Sequence, residues 1–154
     1  MTLFKPNRGP TRSAARGGAI IEFALSFGIL FSVLTGVFQF GYAFYQYNHL
    51  VSVVRAGARY ASLRTYDSST ATPSADFSTA VRNMVVYGDP AGGSLRLVRG
   101  LTPEKVTVTM TMDRNVPHEV AVGITNYQIQ AVVATMNLNG KPKATFPYVG
   151  RYAP

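Results

Sequence analysis

Apolar residues are not spread evenly along this chain. They crowd into residues 19–47, AIIEFALSFGILFSVLTGVFQFGYAFYQY, where Glu22 is the one charge and no proline interrupts. At about 1.5 Å per residue the run makes about 40 Å of helix, more than the roughly 30 Å hydrocarbon core of a bilayer. The pattern predicts one membrane-spanning helix with a tilt or an emergent end. Tyr42, Phe44, Tyr45 and Tyr47 at its far end fit an aromatic belt at a membrane interface. Helical periodicity then continues to residue 63. Tyr47, Leu50, Val54, Gly57 and Ala61 recur at three- and four-residue steps on one face, and Asn48, Ser52, Arg55, Arg59 and Ser62 on another. One helix over residues 18–63 is expected, its second part amphipathic and packing its apolar stripe on a C-terminal domain.

Residues 65–78, TYDSSTATPSADFS, have the composition of a polar linker. A short helix over residues 76–87 follows from the apolar face of Phe77, Ala80, Val81, Met84 and Val85. Pro73 suits its first turn, Thr72 or Ser74 its cap, and Gly88 its stop. From residue 95 the period changes to two. Residues 105–112, KVTVTMTM, alternate apolar and polar side chains as a half-buried strand requires. Residues 118–122 and 127–135 are further strands, and Asn139-Gly140 is a hairpin-type turn leading to residues 144–149. The fold class is α+β: a basic leader (1–17), a transmembrane helix with an amphipathic extension (18–63), a linker with a short helix (64–94), and an antiparallel β domain of three to five strands (95–154).

Composition changes this picture only where charge is concerned. With 154 residues there is room for one modest domain beside the span. The net charge of +8 suggests nucleic acid until it is divided along the chain: Lys5, Arg8, Arg12 and Arg16 carry half of it, with no acid among them. A basic tail against an apolar run is explained by membrane orientation, since cytoplasmic flanks of spanning helices are rich in Lys and Arg. Nucleic-acid binding is therefore not expected, and the predicted orientation is N-terminus inside, C-terminal domain outside.

The candidate chemistry sits at the start of the span, in Arg16-Gly17-Gly18-Ala19-Ile20-Ile21-Glu22-Phe23. An ionisable group inside an apolar helix is costly and marks function, though Glu22 in the first turns is also favoured by the helix dipole and can snorkel to headgroups. The stretch resembles the prepilin signal of type IV pilins and, more specifically, the TadE family of pseudopilins of tight-adherence systems. Arg55-Ala-Gly-Ala-Arg-Tyr60 resembles the motif TadE-like proteins carry at the end of their long N-terminal helix.

The resemblance implies a minor pilin or pseudopilin in a bacterial cytoplasmic membrane. Its partners would be a prepilin peptidase, other pilin or pseudopilin subunits and tight-adherence membrane components. Cutting after Gly17 would make Gly18 the new N-terminus and Glu22 the fifth residue; cutting after Gly18 would make Glu22 the fourth. The carboxylate would pair with the new amine of its own or a neighbouring subunit. Apart from the resemblance, Ala24, Gly28, Ser32 and Gly36 form a small-residue ridge suited to close helix packing, beside a bulky ridge of Phe23, Phe27 and Phe31. Arg55 and Arg59 are candidates for contact with headgroups or a partner.

An enzyme is not expected. The histidines, His49 and His118, are far apart in sequence, cysteine is absent, and no carboxylate cluster has a site's spacing. Gly88, Gly92 and Gly93 lack the lysine of a phosphate loop, so neither a metal nor a cofactor is predicted. A cleaved secretory domain fits poorly, because the apolar run far exceeds a signal core of about 7–15 residues. A single-pass, membrane-anchored extracytoplasmic binding module unrelated to pili has the same topology and stands as the alternative.

Overall fold

A computed structural model describes residues 12–131 and 135–154, with side chains from Gly17 onward. Lys5 and Arg8 of the basic leader lie outside the described residues, as do the side chains of Arg12 and Arg16. The fold is α+β, and the chain divides into two compact units at Phe40/Gly41.

The first helix, α1, spans Arg12–Leu63. It begins six residues before the expected start at Gly18. Helix elongation onto an existing apolar helix needs no new nucleus, so the glycine pair interrupts nothing. In the first unit its apolar side chains are exposed, with Phe23 at 71% and Phe38 at 70%. This helix is long and apolar enough to cross a membrane, and none of its most apolar window is buried in the protein.

In the second unit α1 becomes a core element. Ala43, Leu50, Val53, Val54, Ala58 and Ala61 are buried, while Tyr42, Phe44 and Tyr45 stay exposed. The domain thus takes over the end of the apolar run, and the exposed stretch of residues 19–42 is about 36 Å long. Asn48, Ser52, Arg55 and Arg59 are exposed as their spacing predicts. Ser62 is not: it is buried because Val149 N–H donates to its carbonyl at 3.0 Å, laying the later chain across it. Its hydroxyl is satisfied by the Arg59 carbonyl at 2.8 Å.

The second helix, α2, spans Ala75–Tyr87 and buries Phe77, Ala80, Val81, Val85 and Val86. Of the two proposed caps, Ser74 serves: its Oγ accepts Phe77 N–H at 3.1 Å and donates to Asp67 Oδ1 at 2.6 Å. Pro73 precedes this cap and so stands outside the first turn. Gly88 closes the helix at φ 77°, its N–H on the Met84 carbonyl. The two helices meet at Gly57, where an added Cβ would overlap Val85 Cγ2.

Strands β1 (Val106–Asp113) and β2 (Val116–Ile124) form an antiparallel hairpin, and β5 (Lys143–Pro147) pairs with the other side of β2. Arg114 at φ 48° and Asn115 at φ 63° turn the hairpin, as a two-residue loop in a right-handed ribbon requires. Thr111 faces Glu119 and Met112 faces Pro117, which leaves His118 over as a bulge and accommodates a proline without an N–H. Val106, Met110, Val120, Val122 and Ile124 point into the core shared with α1 and α2.

A separate two-stranded sheet pairs β3 (Tyr127–Gln130) with β4 (Thr135–Leu138). The strand expected over residues 127–135 is therefore two elements; Val132, Val133 and Ala134 lie outside the described residues. Asn139-Gly140 does not close a hairpin, because β4 pairs with β3 and not with β5; it links the two sheets.

The chain after β5 returns to the end of α1. The Tyr148 hydroxyl accepts Tyr66 N–H at 2.9 Å and lies 2.8 Å from the Arg64 carbonyl and 2.7 Å from that of Arg151, sharing its one proton between them. Tyr66 is fully buried, edge-on to Phe77 with centroids 5.2 Å apart, and bridges to Tyr152.

Two measurements probe this core. Gly57→Ala gains about 1 kcal/mol of helix propensity but forces Val85 aside at about 1–3 kcal/mol, so the full chain in micelles should lose up to about 2 kcal/mol. In a Val85→Ala background the same change should stabilise, and destabilisation in both backgrounds would contradict the proposed contact. Burial pushes the Tyr66 and Tyr148 phenols above their ordinary value of 10.0. The unfolded chain then ionises first, so stability should hold below pH 10 and fall as pH rises above it. Thermal midpoints across that range should drop less steeply for Tyr148→Phe than for wild type.

Candidate functional site

The residues singled out at the start of the span lie along one exposed helix. Among the described residues, nothing beyond their own stretch of helix lies within 4 Å of where a Cβ on Gly17 or Gly18 would stand. Both lie inside α1, where two consecutive glycines weaken the helix by about 1 kcal/mol each relative to alanine.

Glu22 follows Gly18 by four residues, one turn on, so both lie on one face. Side chains of a helix lean toward its N-terminus, which directs the carboxylate back over the turn of Gly18. In the intact chain Gly18 offers only a neutral peptide. A cut before it would place an ammonium group within a turn of that carboxylate, at the edge of a low-dielectric layer where opposite charges attract strongly.

Beyond Glu22 the helix carries two neighbouring ridges. Phe23, Phe27 and Phe31 stack with centroids 6.1 and 6.0 Å apart. Ala24, Gly28, Ser32 and Gly36 form the small ridge beside them; among the described residues, nothing beyond the helix's own turns lies within 4 Å of where a Cβ on Gly28 or Gly36 would stand. Ser32 donates its hydroxyl to the Gly28 carbonyl at 2.8 Å, which satisfies it without water.

The segment 55–60 is explained by two opposing demands on one helix. Gly57 and Ala58 are buried against the domain, whereas Arg55 and Arg59 are exposed. The half-buried Tyr60 accepts a hydrogen bond from Arg64 Nη1 at 2.6 Å. Small residues let α2 approach, and the arginines fall on the outer face because they alternate with them. The spacing along α1 already places Gly57 on the stripe that packs on the domain, as found; what sequence reading missed is that Val85 of α2 is the side chain it meets. It also missed that Arg55 lines a recess of about 600 Å³ with Lys141 and Lys143. That grouping depends on how β5 docks.

His49 and His118 are both exposed and lie on different elements, α1 and the β2 bulge. Among the described residues no three His, Cys, Asp or Glu side chains gather at one point.

No curated protein and no solved structure matches the chain. The family model described as TadE-like protein matches residues 17–59. That match runs from the glycine pair through Glu22, both ridges and the Ala-Gly-Ala contact, and over this helix the chain is similar to the TadE-like family.

Proposed function

We propose that this chain is a minor pilin or pseudopilin of a tight-adherence system, held in the bacterial cytoplasmic membrane by α1 and cut by a prepilin peptidase between Gly17 and Gly18. The observation that supports it most is the placement of Glu22 one turn from Gly18, at the start of an exposed apolar helix matched as TadE-like. Cleavage removes the leader's four positive charges and creates one new cation opposite that carboxylate. The pair then gives neighbouring subunits a common register.

The ridges extend the same logic along the helix. Lipid offers no hydrophobic drive for helices to associate, so close approach depends on shape. The phenylalanine ridge of one subunit fits the Ala24, Gly28, Ser32, Gly36 groove of the next. Such a contact joins unlike faces and can propagate without closing, as a fibre needs. The C-terminal domain lies outside, because the basic leader holds the N-terminus in the cytoplasm.

N-terminal sequencing of the mature chain from cells with the cognate peptidase should begin at Gly18. Glu22→Gln should be cut and inserted normally while cross-linking to partner pilins falls by about one to two decades, equivalent to about 1–3 kcal/mol. Unchanged cross-linking at equal abundance would leave α1 as an anchor only.

Topology has an independent test, because the chain has no cysteine. Ser94→Cys, on an exposed loop of the domain, should react with a membrane-impermeant maleimide added to intact spheroplasts. Labelling only after lysis would reverse the orientation.

A further inference from the structure

Beyond the helix motifs, the second unit holds a positively charged recess. Tyr47, Asn48 and Arg55 of α1 form one wall, Lys141 and Lys143 the other, and the buried Val54 lies between them. No carboxylate is among its lining residues, and Arg55, Lys141 and Lys143 make no ion pair among the described residues. Three cations around one space of about 600 Å³ repel one another and favour an anion between them. A second recess, beside Tyr42 and Gln46, contrasts with it. There Lys105 is already committed, donating to the Gly100 carbonyl at 3.0 Å with its ammonium 5.5 Å from the Tyr127 ring centroid.

The position of the basic recess indicates where its anion comes from. Tyr47 is the last residue of the apolar run and belongs with the exposed Phe44 and Tyr45, whose rings suit the headgroup layer. Arg55 lies two turns further along α1, and its side chain leans back toward Tyr47. Long cationic side chains reach along a surface to phosphate in this manner. The Asn48 amide and Tyr47 hydroxyl add neutral groups for ester and glycerol oxygens.

We propose that this recess binds the headgroup phosphate of an anionic phospholipid at the membrane surface, seating the domain against the bilayer. The proposal rests on α1 spanning a membrane, and on neither its direction nor the pilus reading.

The test uses the full chain in zwitterionic micelles, followed by amide NMR at Asn48, Gly140 and Lys143. Short-chain phosphatidylglycerol should give saturable shifts there, and short-chain phosphatidylcholine should not. Arg55→Gln, Lys141→Gln and Lys143→Gln should each weaken the dissociation constant about fivefold, the worth of one basic residue at an anionic surface. Lys141→Arg with Lys143→Arg should retain binding, which separates lost charge from lost fold. Equal response to both lipids, or indifference to the three substitutions, would overturn the proposal. Inorganic phosphate binding as tightly as phosphatidylglycerol would assign the recess to a free anion instead. Displacement of the lipid by a lower concentration of polyglutamate would assign it to an acidic protein partner. Amides of residues 20–40 that exchange freely with water would remove the membrane span itself, and the lipid site with it.

Discussion

A peptide N–H inside a bilayer has no partner except a carbonyl of its own chain, and the design of this protein follows from that constraint. The apolar run must be helical throughout, and the end of the helix must fall where something else can satisfy its last carbonyls. The chain meets this by not ending the helix at the membrane. α1 continues to Leu63, where Arg64 N–H still bonds to the Tyr60 carbonyl, and stops where the C-terminal segment crosses it, with Val149 N–H on the Ser62 carbonyl. The domain is then assembled on a rod that already exists. Leu50 and Val54 are fully buried, and α2 and β1–β2 complete the core around them.

One helix therefore answers to two solvents, and its surface changes at about Gly41. Before that point its large apolar side chains stay exposed within the chain, a surface far larger than a water-soluble monomer sustains. Lipid or neighbouring helices must cover it. After that point burial is selective: apolar and small residues face inward and arginines outward. Glu22 is the exception to the first regime, and Gly57 is the closest packing of the second.

Much of this was legible in the sequence because it depends on local periodicity. The span, the amphipathic stripe, the face of α2 and the alternation of β1 all follow from spacing along a single element, and they agree with the structure. What was not legible depends on pairing at a distance. Tyr127 to Thr135 reads as one strand, but only pairing reveals the two-stranded sheet. Asn139-Gly140 has the composition of a hairpin turn, yet the strands on either side choose different partners. The Arg114-Asn115 turn carries no glycine, so its left-handed backbone had no obvious marker. The positions of the candidate residues along α1 follow from the helix itself. The grouping of Arg55 with Lys141 and Lys143 was not, because residues so far apart in sequence meet only through the sheet.

The closure around Tyr66 has a consequence for biogenesis. Tyr66 and Arg64 are held by Tyr148, a residue more than eighty positions later. A chain made from its N-terminus delivers Phe77 and the apolar face of α2 well before the segment that seals them. Until then the domain is an open half-core, with hydrophobic side chains waiting for the last strand. Synthesis and closure of the domain are thus forced into sequence, and the interval between them is when a chaperone holdase, or premature association with another chain, has its opportunity.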